Sequence, residues 1–155
     1  MTNEQPFIRA SLKLLEETFE NVQGYYLDKN TSLFETLSTI SAAEASIPVG
    51  KKCANLAAQV KHVTLYLDVL EKSLRGDDSQ QVDWGEIWLT TSEVDEAEWH
   101  IIKTDLPLKY EGVLATLNAN LDLTNDENLA MIMAIIAHTA YHLGEIRQAL
   151  CVLKP

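Results

Sequence analysis

Apolar positions recur along the chain at steps of three and four, the spacing that lays one hydrophobic stripe along an α-helix. Ile8, Leu12, Leu15, Phe19 and Val22 predict a first helix over about Phe7 to Gln23. Leu56, Val60, Val63, Leu67, Leu70 and Leu74 predict a second, from about Lys52 to Leu74, ended by Gly76. Trp99, Ile102, Leu106, Tyr110, Val113 and Leu117 predict a third over about Glu93 to Ala119, with a kink or short break at Pro107. A fourth is expected from about Asn125 to Leu153, opened by a Thr124–Glu127 capping box. Ser32 with Glu35 opens a shorter helix through Phe34, Leu37 and Ile40, and Ser41 to Glu44 begins one more turn. The stretch from Gly76 to Thr91 is the longest gap and carries Trp84 and Trp88. No segment alternates as a strand does. The expectation is a single all-α domain spanning residues 1–155, an up-down four-helix bundle with one long crossover connection.

Composition narrows the partners. The net charge of -11 disfavours nucleic acid, because phosphate binding needs clustered Lys and Arg, and Lys51-Lys52 is the one basic pair. Met1 to Pro6 lacks a basic and an apolar signal region. The longest charge-free apolar run, Leu129 to Ala137, falls well short of the roughly 20 residues that span a bilayer. A cytoplasmic chain without membrane contact is expected. Cys53 and Cys151 are expected to be free thiols on helices.

Four histidines carry the chemistry. His138 and His142 are four residues apart on the fourth helix, about 40° apart in azimuth and one turn from each other, so two imidazoles can share one ion. Thr139 stands where a zinc protease of the H-E-x-x-H type has its glutamate. His62 lies at the shoulder of the second helix's stripe, with Tyr66 one turn on. Cys53 and Cys151 are each nine residues from a candidate ligand, about half a turn out of phase, and are excluded as ligands. His100, between Glu98 and Lys103, reads as a surface residue; Met131 and Met133 read as core.

Periodicity alone does not bring His62 to the other two. The motifs together resemble the DinB-like (YfiT-like) superfamily of metal-binding four-helix bundles. Phe34 to Leu37 through Ala42 to Ala45 and Pro48 resembles that family's approach to its second helix. Leu56-Ala57-Ala58-Gln59-Val60-Lys61-His62-Val63 is similar to its first histidine motif, and Leu74-Arg75-Gly76 to the end of that helix. Asp83-Trp84 and Trp88, followed by Glu98-Trp99, resemble its tryptophan-bearing loop and third helix. Ala137-His138-Thr139-Ala140-Tyr141-His142-Leu143-Gly144-Glu145-Ile146-Arg147-Gln148 is similar to its H-x-x-x-H-x-G signature. The likeness covers about residues 31–153, in order.

That resemblance implies a zinc or nickel ion on His62, His138 and His142, a homodimer, and in some members thiol-cofactor transfer or isomerisation of small acids. Where the family often has Gln, this chain has Glu145, which would orient a ligand histidine, take a proton from bound water, or pair with a neighbouring Lys or Arg; the last is preferred. Tyr66 and Tyr141 are candidate donors to a bound group or ordinary core tyrosines. Trp84 and Trp88 form either a lid on the metal pocket or, the preferred reading, a plug in the end of the bundle. Arg147, on the face away from His138, is expected to pair with an acid. Three functions stay open: a metal-dependent enzyme acting on a small molecule by hydrolysis or thiol transfer, a non-catalytic metal-binding bundle, and a dimeric interaction module.

Overall fold

The computed structural model describes residues 4–50 and 53–154, and the side chains from residue 6 onward. Met1 to Asn3, the Lys51-Lys52 pair and the expected start of the second helix at Lys52 lie outside the described residues. The fold is all-helical: no strand occurs among the described residues. Among the described residues seven helices follow in order: α1 (Glu4–Phe19), α2 (Leu33–Ser38), α3 (Ala42–Ala45), α4 (Leu56–Leu74), α5 (Glu86–Thr90), α6 (Glu96–Asn118) and α7 (Asp126–Leu153).

The four long helices close a ring of neighbours: α4 packs on α6 and α7, and α1 packs on α7 and α6. Their stripes fill the space between them. Leu15 and Phe19 of α1, Leu56, Val60, Val63 and Leu67 of α4, Leu106 and Val113 of α6, and Ile132, Ile135, Leu143 and Ile146 of α7 are buried in one core. Each such side chain is worth about 1.5–3 kcal/mol of burial. α7 is long and apolar enough to cross a membrane by length and composition. A core helix has the same profile, and here α7 spends its apolar face on α1 and α4.

Helix ends follow local chemistry. Asn55 caps α4 by accepting the Ala58 N–H at 2.8 Å. Gly76, at φ +83°, closes α4 in a Schellman turn: Asp77 donates to the Lys72 carbonyl at 2.9 Å and Gly76 to that of Ser73 at 2.8 Å. The expected extra turn at Ser41 to Glu44 is α3, opened by a reciprocal capping box between the two residues. At α7 the cap is Asn125, whose side chain accepts the Glu127 N–H at 2.9 Å, in place of Thr124, which turns back to the Asp122 carboxylate. Of the kink or short break expected at Pro107, the break does not occur: α6 continues through it, with Leu106 and Tyr110 buried beside the lost N–H donor.

Three other expectations change. Cys53 lies in a bend ahead of α4, not on a helix, and both cysteines are free and exposed. Met133 is 60% exposed, because Ile132 and Ile135 take the inward positions of α7. α1 ends at Phe19 rather than Gln23, and the cause is Glu17. Its carboxylate, fully buried, accepts four backbone N–H groups: Gln23 at 3.0 Å and Tyr25 at 2.9 Å on Oε2, and Tyr26 and Leu27 at 2.7 Å on Oε1. The chain folds back over the acid at Gly24, at φ +89°. Burial raises the pKa of such a group, yet the four donors overcome it and hold Glu17 at about 2 against an ordinary 4.5.

The stability this acid supplies is therefore complete above pH 4.5 and lost as pH falls from there toward about 2. Glu17→Gln leaves two of the buried donors facing an amide NH2. It is expected to cost about 2–4 kcal/mol in a urea titration at pH 7. Unchanged stability would show that the nest contributes nothing net.

Candidate metal centre

The seam between α4 and α7 brings His62, His138 and His142 together. One ring nitrogen of each lies within 4.8 Å of the others. His62 and His142 are 8% and 6% exposed, and His138 is partly buried. The one-turn spacing of His138 and His142 puts their ring centroids 4.5 Å apart, and His62 reaches both from α4, at 5.0 and 4.9 Å.

The nitrogen geometry fits an ion. His62 Nε2 and His138 Nε2 face each other at 3.1 Å. Two nitrogens bound to one ion at about 2.0–2.1 Å stand about 3 Å apart at a right angle and about 3.4 Å apart at the tetrahedral angle. His142 Nδ1 is occupied: it donates to Gln59 Oε1 at 2.5 Å and lies 3.0 Å from Glu145 Oε2. A proton held on Nδ1 leaves the Nε2 lone pair of His142 for an ion. Nδ1 of His62 and Nδ1 of His138 are buried and meet no hydrogen-bond partner among the described residues.

Gln59 was not singled out by the sequence. It precedes His62 by three residues and so shares its face of α4, the signal that marks it. Among the described residues Glu145 does not make the preferred pairing with Lys or Arg; it lies against His142 three residues before it. Arg147 likewise meets no acid among the described residues, and donates to Thr36 Oγ1 at 3.4 Å. His100 is exposed on α6, away from the seam.

Aromatic rings surround the cluster. Tyr66 stacks flat on His138, with centroids 3.6 Å apart and planes 13° from parallel. Trp88 lies 4.6 Å from His62 and Trp84 5.9 Å from it. Both tryptophans thus contact the histidine cluster, Trp88 from α5 and Trp84 from the turn just before it. Tyr141 is 61% exposed and packs edge-on against His142. Its hydroxyl is pushed up by a hydrogen bond to Glu145, and that of Tyr66 by burial. Neither phenol is ionised near neutral pH.

All three imidazoles titrate below the ordinary 6.5. Burial is the main cause for each; His142 further lowers His62, and His142 and His62 hold His138 down to about 4. Glu145 opposes the shift at each of them. Neutral imidazole is the ligating form, so the cluster is ready for a divalent cation at neutral pH. The chain matches no protein-family model, no curated protein and no solved structure.

Metal analysis of protein prepared without a histidine tag is expected to give one divalent ion per chain in the wild type and none in His138→Ala or His142→Ala. Gln59→Leu is expected to keep the stoichiometry and weaken binding about 10–100-fold in chelator competition. In the metal-free protein, protonating the imidazoles disfavours the fold. Its melting temperature is expected to be level above pH 6.5 and to fall between there and about 4, with a shallower fall in His138→Gln.

Proposed function

We propose that the chain is a metal-dependent enzyme of the DinB-like kind, acting on a small molecule by thiol transfer or hydrolysis at an ion on His62, His138 and His142. The observation that carries this reading is the pair of Nε2 atoms facing each other at 3.1 Å with His142 beside them. Three protein ligands leave coordination positions open, as in catalytic sites; structural zinc is normally closed by four. The ring of long helices, the capped second and fourth of them, and the placement of the histidines support the up-down bundle with its crossover through α2 and α3.

Zinc or nickel is the metal that the family resemblance implies, and imidazole suits both. Bound there, it keeps its full double charge, lowers the pKa of a bound thiol or water, and polarises an electrophile. The chain's own residues do the positioning. Gln59 and Glu145 fix the tautomer and plane of His142, while Tyr66, Trp84 and Trp88 keep bulk water off the cluster. A thiol supplied by the substrate needs no protein nucleophile, and both cysteines lie exposed and outside the cluster. A cytoplasmic homodimer that uses neither nucleic acid nor membrane completes the proposal, consistent with the -11 charge.

The deciding experiment combines zinc- or nickel-loaded protein with small thiols and electrophiles and follows loss of free thiol. Catalysis abolished by chelator and by His138→Ala is expected. If no pair reacts above background, and chelation instead lowers the melting temperature by about 10 °C or more, the ion is structural and the enzyme reading fails.

A further inference from the structure

The face of α7 turned away from the histidines borders a groove of about 380 Å³. Pockets for small ligands run from roughly 300 to 1,000 Å³. Leu27, Asp28 and Thr31, from the segment joining α1 to α2, line it on one side; Leu143, Gly144 and Arg147 of α7 line it on the other. Arg147 follows His138 by nine residues, half a turn out of phase, so this groove is separate from the candidate metal centre.

The groove is held in shape from both sides. The Glu17 carboxylate fixes the backbone up to Leu27, and Thr31 Oγ1 donates to the Asp28 carbonyl at 2.6 Å. Asp28 thus sits between two anchored points, with its carboxylate exposed. Across the groove the half-buried Arg147 donates one N–H to Thr36 Oγ1, a buried hydroxyl of α2, at 3.4 Å. A guanidinium has five such donors in a rigid fork. Gly144 leaves the space open. It lies in the interior of α7, where glycine is less stable than alanine, and a Cβ built there meets nothing within 4 Å. No close packing demands glycine at this position.

One cation and one anion therefore line the same groove, yet Arg147 and Asp28 form no ion pair with each other. A ligand with a carboxylate alone would satisfy Arg147 and be repelled by Asp28. A ligand with an ammonium alone would meet the reverse. A ligand carrying both answers both walls, and charge-assisted hydrogen bonds of this kind are the strong ones. We propose that the groove binds a free α-amino acid, whose carboxylate accepts from the Arg147 guanidinium and whose ammonium donates to the Asp28 carboxylate. Leu27 and Leu143 offer apolar surface to its side chain. Because the groove wall is fixed through Glu17 before any ligand arrives, little ordering is left for binding to cost.

The test uses the full chain labelled with nitrogen-15 and titrated with each of the common α-amino acids in turn, to about 10 mM. Saturable shifts of the amides of Asp28, Thr31, Gly144 and Arg147 are expected with at least one of them. The tightest binder is then compared with the same molecule lacking its ammonium and lacking its carboxylate, and each is expected to bind about tenfold more weakly. Arg147→Gln and Asp28→Asn are expected to weaken binding by about the same factor. Gly144→Leu fills the groove and is expected to abolish binding while the melting temperature holds or rises, leucine being the better helix former. Helicity by circular dichroism and metal content are expected to match the wild type in all three variants. Absence of saturable shifts with every amino acid, equal binding of the form lacking the ammonium, or undiminished binding in both charge variants would overturn the proposal. Metal content reads the histidine cluster separately, so either site can fail without the other.

Discussion

The contact of α4 with α7 is the constraint on which the site depends. Each helix presents an apolar stripe, and burying the two stripes against each other fixes their azimuths. With azimuths fixed, His62 on the shoulder of one stripe and the His138–His142 pair on the other have little freedom left. Burial then does the electrostatic work: it drives all three imidazoles toward their neutral form, with His138 lowest. Packing and ligand chemistry are thus one effect at two scales. The same desolvation that makes a polar cluster costly in an apolar seam keeps its nitrogens free of protons. A divalent ion would offset that cost by satisfying them.

Much of this was legible in the sequence because it is local. The stripes of α4 and α6 run at helical period, and most of the residues they name are buried, among them Val63 and Leu67, Leu106 and Val113. The turn at Ser41 to Glu44 and the Gly76 stop lie within a few residues of the groups they satisfy. The His138–His142 spacing is likewise a property of one helix. What failed was non-local. The end of α1 is set by Glu17 gathering N–H groups from Gln23 to Leu27, and nothing in an apolar stripe announces that an acid inside it will be buried. Met133 lies between two isoleucines that claim the core, and the charge-poor sequence around it hid which side faced out. Thr124 and Asn125 are both good caps, and geometry alone chose between them.

His62 shows the boundary between these cases most clearly. Its position on α4 is readable, but its meeting with α7 depends on which of several possible helix pairings forms. Resemblance to a family pointed to the answer, and the structure brings the three rings together independently of that resemblance. Gln59 and Glu145 belong to the same class. Each is one turn from a histidine in sequence, yet both act on a single nitrogen, His142 Nδ1, that only the packed seam puts between them.

The division of labour among the three histidines is unequal, and that inequality is informative. His142 is gripped from both helices: Gln59 comes from α4 and Glu145 from α7, so its ring plane and tautomer are set before any ion arrives. His138 is held by a flat stack on Tyr66, and His62 by the indole of Trp88; neither has a protein acceptor for Nδ1. Dispersion and stacking resist tilting of a ring but allow it to slide in its plane, whereas a hydrogen bond fixes direction. The cluster therefore combines one preset ligand with two that can adjust their bite. One of those two, His62, packs against Trp88 of α5, so a shift of either ring is felt by the other.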